Sequence, residues 1–509
     1  MTSRPVPRSS PVPTIGPPPP PAPRARRTWQ TIDGVAGGLP LDLGFYAVSA
    51  AFAGITAVTS TLSPHRAWGA VAGIGYLVAA LLAAGQLLAR RRHPDSPLAG
   101  TSARAALTAL TWTTTTLLPL GWQAVQRAAG RTDRAQEEVV VVEHSGARLV
   151  HEGTPYLGHD AIAALPPGEQ LLGYTPYQPG MAVFGLPRAA LDVWWTDARL
   201  WFALATALTL ALAVRALRTS ASTGGGLAGS GTLAGGGAFT SGGTGHRATR
   251  LTRPRLDLRL DPALLRAVQA ATVLPVCALT LATGGDDLPV LALCLLALAY
   301  AATGRPGAAG LAVGLAGALK LLAWPVALVL LFWAATHRAT GRFAAGAFGL
   351  PAAALLPALL VDRDALVENV LRFPLGHGLV TSPAASPFPG YLIANAFPSG
   401  RAVAAILLVA AGLAIAVHLL RHPPRTAATS ALVCGYGLLA AIALMPATRF
   451  GYLLYPLALL VWAPALRLAI ADDASSLRPT TTNGASSLRP TTTNGASSPD
   501  SAAKTTNKA

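Results

Sequence analysis

The chain is short of charge. Only 12% of its 509 residues are Asp, Glu, Lys or Arg, against roughly 25% in soluble globular proteins, and 52% are hydrophobic, with mean hydropathy +0.45. That balance excludes an ordinary water-soluble fold, so much of the chain has lipid as its solvent. Cysteine is scarce too: Cys277, Cys294 and Cys434 all sit inside apolar stretches. Such placement excludes an extracellular disulfide framework and a zinc site, and leaves small buried hydrophobes. Soluble-enzyme signatures are missing as well. There is no GxxxxGK[ST] loop, no HExxH and no dinucleotide fingerprint after a strand, so no nucleotide-powered pump is visible. No apolar region follows the first residues closely enough for a cleaved signal peptide.

What is present is a succession of apolar segments about 20 residues long, the length that crosses a bilayer. Leu43–Leu62, Trp68–Ala89, Trp201–Ala216, Ala402–Leu420 and Tyr452–Leu468 are examples. In lipid each must be helical, because its backbone polar groups find no water. The expected fold is therefore an all-α polytopic membrane protein with about 11 to 12 spans. The net charge of +17 would suggest nucleic acid in a soluble protein, but the arginines cluster beside apolar spans. Arg90–Arg92, Arg247 to Arg255, Arg338/Arg342 and Arg421/Arg425 follow the positive-inside pattern, so no nucleic-acid partner is expected.

Alternation from those arginines divides the chain. Residues 1–42 are expected to form a disordered, Pro- and Arg-rich cytoplasmic tail, and 43–217 an N-terminal membrane part with an acidic outer loop at 123–197. Residues 218–262 are a Gly-rich, then basic, cytoplasmic linker. Residues 263–468 form a C-terminal membrane part with a second outer loop at 362–401. Residues 469–509 are a second tail, in which ASSLRPTTTNG occurs twice as a low-complexity duplication. The expected location is the cell membrane, multi-pass, with both termini cytoplasmic. The stretch 307–336 is too long for one upright helix. A single crossing would put Arg338 and Arg342 outside, so two short helices are expected to meet near Lys320.

The polar residues that bear chemistry lie in the outer loops and at the mouths of spans. Glu137, Glu138 and Glu143 flank an apolar run, Val139–Val142. A partly desolvated carboxylate at a bilayer surface can serve as a general base. Spacing alone favours the plainer reading, three solvated loop charges. Lys320, Arg372, His377 and Arg449 are cations close to membrane, where charge is costly and usually faces a partner. That partner is a lipid phosphate, a carboxylate, or the interface itself reached by snorkelling.

These stretches resemble the polyprenyl-phosphate-dependent mannosyltransferases of glycosyltransferase family 87, of the GT-C fold, from actinobacteria. The matching segments are Glu138 to Tyr156, ending in Gly153-Thr154-Pro155-Tyr156; Tyr174–Pro179 (YTPYQP); and Gly314–Lys320 (GLAGALK). Together the likeness spans roughly residues 105–468. The resemblance implies a polyprenyl-phosphate sugar donor, a lipid or glycan acceptor and membrane lipids as surroundings; with a phosphate leaving group met by cations, no metal or cofactor is required. It makes Glu138 the general base, with Glu143 as runner-up, and Lys320, Arg372, His377 and Arg449 the donor-phosphate ligands. Tyr156, Tyr174 and Tyr177 would shape the acceptor groove. Family members carry Asp where this chain has Glu138, and Tyr where it has Val142. Glu reaches one methylene further, and a misplacement of about 1 Å can cost 10²-fold in rate. A member without activity is therefore a further reading. The rival class is a non-enzymatic transporter or lipid-binding protein, which the helix break at Lys320–Pro325 would suit.

Overall fold

The computed structural model describes residues 34–223 and 260–476. Most of the expected tails and of the Gly-rich linker lie outside the described residues; residues 34–42 and 469–476, expected as tail, are helical instead. No strand occurs among the described residues, and the fold is all-α. A hairpin comes first: α1 (Leu39–Thr59) and α2 (Ser63–Arg92). The segment Ser63–Arg66 is the first turn of α2, because Pro64 suits a helix start and the break falls just before it. Next come α3 (Thr101–Trp112) and α4 (Leu118–Ala128), continuous through a π-turn at Thr113–Leu117. Then follow α5 (Glu137–Glu152), α6 (Ala198–Thr223), α7 (Pro262–Thr272) and α8 (Pro275–Thr283). The C-terminal part is α9 (Asp287–Ala302), α10 (Pro306–Leu319), α11 (Trp324–Thr336), α12 (Thr340–Val361), α13 (Gly400–Arg421), α14 (Ala427–Leu444) and α15 (Leu454–Ser476).

Among the described residues seven helices are long and apolar enough to cross a membrane, or eight when the bent pair α7–α8 is one span. The further spans expected from hydropathy fall on shorter apolar helices, α9, α10 and the stretch Leu321–Thr336. The chain is thus a polytopic α-helical membrane protein. The expected meeting of two short helices near Lys320 is observed. Pro325 has no N–H, and its ring would collide with the carbonyl of Leu321 in a continuous helix. Lys320 accordingly takes an extended conformation between α10 and α11.

Such breaks free backbone carbonyls, which must find donors inside a membrane. The hairpin supplies them. Trp68 Nε1 donates to Thr115 O in the π-turn at 2.8 Å, and the Tyr76 hydroxyl donates to Val273 O, at the α7–α8 bend, at 2.7 Å. Buried Arg104 pairs with Asp42, which also receives Arg266 and Gln269, so α1 is fastened to α3 and α7 by charge. Packing between α10 and α12 relies on absent side chains. A Cβ on Gly314 would lie 2.1 Å from Gly346 O, so the two backbones touch as small residues permit.

Helix α9 is the centre of the bundle. Its residues Leu288, Val290, Leu291, Ala292, Cys294, Leu295, Ala297, Leu298 and Ala299 are all buried, on every side, against α6, α10, α14 and α15. A helix that is apolar all round belongs in a core. The three cysteines are buried and free, as their settings suggest.

Candidate active site

The acidic loop begins where α5 starts. Gln136 fixes that point: its N–H donates to Thr283 O at 3.0 Å, and its side-chain oxygen accepts from the Thr283 hydroxyl at 2.9 Å. Buried Val139, Val141 and Val142 hold the next turn against the core. Glu138 therefore sits in the first turn of a helix, where the dipole favours a negative charge, directly beside the end of α8. Its carboxylate forms an ion pair with the Arg449 guanidinium. Arg449 is held in turn by the second loop. Thr448 N donates to Ala384 O, Ser386 N donates to Thr448 O, and Phe450 N donates to the Ser386 hydroxyl.

Three and four residues beyond Thr283, the Gln136 anchor on α8, the chain reaches Asp286 and Asp287. Both are buried, and both pair with Lys320, at 2.8 and 2.6 Å. The Tyr455 hydroxyl donates to Asp287 Oδ1 at 2.8 Å. The Lys320 ammonium also lies 5.3 Å from the Tyr177 ring centre and 5.5 Å from that of Tyr452. Burial, then the nearby Asp286 carboxylate, push the Tyr177 phenol well above its ordinary range, so it stays protonated. Tyr452 lies within electrostatic reach of Lys320, Asp286, Asp287 and Arg449, so the two ion-paired groups form one cluster at one end of the bundle. Its formal charges are three carboxylates against two cations.

The other residues singled out from sequence fall elsewhere. Glu143 is buried and fully engaged. Arg127 clasps it through two bonds of 2.8 and 2.6 Å, and Ala198 N donates to it at 3.1 Å. Arg127 also reaches Asp197, which Arg199 grips with two 2.8 Å bonds. Burial opposes charge on Asp197, but Arg199 and Arg127 outweigh it and hold the carboxyl at about 2. Both oxygens of Glu143 are engaged, and Arg188 lies 3.9 Å from one of them.

Tyr156 and Tyr174 are buried and fasten loops rather than line an open groove. The Tyr156 hydroxyl donates to Tyr177 O at 2.8 Å, beneath Ala365 and Leu366. The Tyr174 hydroxyl donates to Glu368 at 3.0 Å and accepts from Leu379 N, while its ring stacks on Phe373 at 4.2 Å. With Asn369 accepting from Thr175 N and donating to Leu157 O, these bonds join the two long loops into one cap. Burial opposes charge on Glu368, yet hydrogen bonds from His159 and Tyr174 hold its carboxyl below the ordinary range. Arg372 is exposed and leans on Glu368 at 3.5 Å, and His377 is exposed. Neither has a recorded contact with the Arg449–Lys320 cluster among the described residues.

Asp286 and Asp287 are not singled out by the sequence, where Asp286 falls between two expected spans and Asp287 at the start of the second. The signal was available: two adjacent carboxylates after Gly284-Gly285, at the mouth of an apolar helix, are costly enough to imply a partner.

A multi-pass α-helical protein with an acid–cation cluster beneath a two-loop cap is a frame suited to chemistry at a membrane surface. The model of Glycosyltransferase family 87 matches residues 174–446, more than half of the chain, and the chain belongs to that family. It is thereby a membrane glycosyltransferase. The matched stretch contains Asp286, Asp287 and Lys320, whereas Glu138 lies well before it and Arg449 just after it. No curated protein matches the chain, and no solved structure does.

Proposed function

We propose that the chain transfers a hexosyl group, mannosyl in the first instance, from a polyprenyl-phosphate donor to a hydroxyl of a lipid or glycan acceptor, on a GT-C-type frame. The observation that carries this reading is the Glu138–Arg449 pair beside the Lys320–Asp286–Asp287 group. The reaction needs a carboxylate to take a proton and a cation to receive a phosphate, and here both stand together.

Without donor, Arg449 occupies the carboxylate. A donor phosphate draws the guanidinium to itself through charge-assisted hydrogen bonds and leaves Glu138 free. Glu138 then takes the proton of the acceptor hydroxyl. The acceptor oxygen attacks the anomeric carbon, the carbon–oxygen bond to phosphate breaks, and its electron pair departs with the phosphate. The single displacement inverts the anomeric centre. Arg449 stabilises the charge that develops on the leaving group. Lys320, already shared by two carboxylates, serves as the positioning residue for Asp286 and Asp287, which face the sugar hydroxyls. Arg372 and His377, exposed on the cap, lie outside the phosphate shell.

The loops at 123–197 and 362–401 face the outside and the termini the cytoplasm of a multi-pass cell-membrane protein. A cysteine introduced at Gly168, an exposed position, then reacts with a membrane-impermeant maleimide in intact cells. Labelling only after lysis would invert the topology. The transfer itself is tested with radiolabelled polyprenyl-phosphate mannose in membranes with and without the protein. Equal label in acceptor from both membranes would reject the reading.

A further inference from the structure

A second site lies on the same helix, further along. A cavity of about 510 Å³ opens between α5 and the loop that follows it. Its walls differ in character. Leu157, Leu165 and Leu172 make one side aliphatic, while His144, Arg148 and Glu169 supply polar groups. The residue that asks for a ligand is Arg148, which is only 8% exposed. Its three hydrogen bonds all go to neutral acceptors: His144 O at 3.3 Å, Gly173 O at 3.3 Å and the Thr175 hydroxyl at 3.1 Å.

The other two buried arginines among the described residues, and half-buried Arg127, each have a carboxylate. Arg104 has Asp42, Arg127 has Glu143 and Asp197, and Arg199 has Asp197. Arg148 makes no ion pair among the described residues, although Glu152 follows one turn on and Glu169 shares its cavity. Glu152 acts on Arg148 only from beyond ion-pair distance; a buried cation with no carboxylate in contact is costly, and Arg cannot shed its proton to escape that cost. The guanidinium fork also matches phosphate oxygens two at a time.

We propose that this cavity is an anion site, distinct from the candidate active site, that takes a phosphate group. The aliphatic wall opposite Arg148 suits a phosphate carried on a chain, as in a membrane phospholipid, and the imidazole of His144 adds a donor. Glu169, exposed at the rim, sets an upper limit on the affinity by repulsion. The inference does not depend on the transfer chemistry, and its readout is binding.

The test uses the full chain in phosphatidylcholine nanodiscs doped with a few per cent of phosphatidylglycerol, with native mass spectrometry counting retained lipid. The wild type retains phosphatidylglycerol preferentially. Arg148→Gln lowers that preference on the order of tenfold, the loss expected for a hydrogen bond to a charged group. Glu169→Gln, a surface change that leaves packing alone, raises it severalfold. A second arm titrates inorganic phosphate into the detergent-solubilised protein and follows its melting temperature. A phosphate-induced rise that Arg148→Gln abolishes, with no lipid preference, assigns the site to free phosphate. Should Arg148→Gln fail to fold, Glu169→Gln decides alone. Lipid retention and phosphate response that are identical in wild type and Glu169→Gln overturn the proposal.

Discussion

Helix α5 presents two glutamates five residues apart, and their surroundings differ completely. Glu143 lies in a neutral network in which Arg127, Arg188 and Arg199 meet Glu143, Asp197 and Asp192, and both oxygens of Glu143 and of Asp197 are occupied. Glu138 lies where three carboxylates meet two cations, with Arg449 about one third exposed. Balanced charge and complete hydrogen bonding serve cohesion, because any change leaves a buried group unpaired. Excess charge and a partner within reach of solvent leave room for a substrate to complete the set. The chemistry of a residue here is set by what remains unsatisfied around it.

That comparison is sharpest at Glu138 itself. Glu138→Gln keeps size and hydrogen bonding but cannot accept a proton, so transfer is expected to fall by roughly 10²–10⁴-fold with normal expression. Asp286→Asn is the companion variant. Full transfer in Glu138→Gln with its loss in Asp286→Asn would move the base to the α9 mouth.

Glu143→Ala should behave in the opposite way. Breaking a buried ion pair costs about 3–5 kcal/mol, and the missing partner leaves Arg127 with Asp197 alone. The expected result is a lower melting temperature in detergent, while transfer per folded molecule is retained. A variant that melts normally but has lost transfer would erase the distinction between the two glutamates.

Arg449→Gln probes the other half of the cluster. Donor affinity should weaken by about 1.5–3 kcal/mol, the worth of a hydrogen bond to a charged group. An unchanged dissociation constant for a polyprenyl-phosphate analogue would leave Arg449 as a partner for Glu138 and nothing more.

The smallest effect belongs to the cap. The folded Glu368 carboxyl sits below its ordinary range because of its partners, so its contribution is fully present above pH of about 4.5, near the unperturbed carboxylate value, and is lost as pH falls through the folded value. Hydrogen exchange at Tyr174 and Thr175 should rise as pH is lowered below that range, after correction for intrinsic rates. Glu368→Gln should show the same loosening at pH 7. Equal protection in both proteins at pH 7 would separate the cap's cohesion from Glu368.

Much of the architecture was legible from residues near one another in the chain. Run length and hydropathy read out the long helices, and Pro325 read out the break at Lys320. The placement of Glu138 at the head of the outer loop also followed from its local pattern, Glu before four valines. The two outer loops were legible as loops, but not as one cap. Their union depends on Tyr174 meeting Glu368 and Thr175 meeting Asn369, each pair 194 residues apart.

The sequence by itself determined that this chain lives in lipid, because a shortage of charge and a recurrence of apolar runs leave no other solvent. It also marked the break at Pro325, although Pro351, Pro357 and Pro464 sit inside continuous helices, so the missing N–H of proline did not decide every break. Only the tertiary structure decided which charges are structural and which are available. Spacing reports neighbours on one helix face, whereas Arg449 reaches Glu138 from the other end of the chain and Lys320 reaches Asp286 and Asp287 across a helix break. A carboxylate in low dielectric takes its role from whichever cation the fold brings within about 4 Å of it, and that choice is made by packing between segments distant in the sequence.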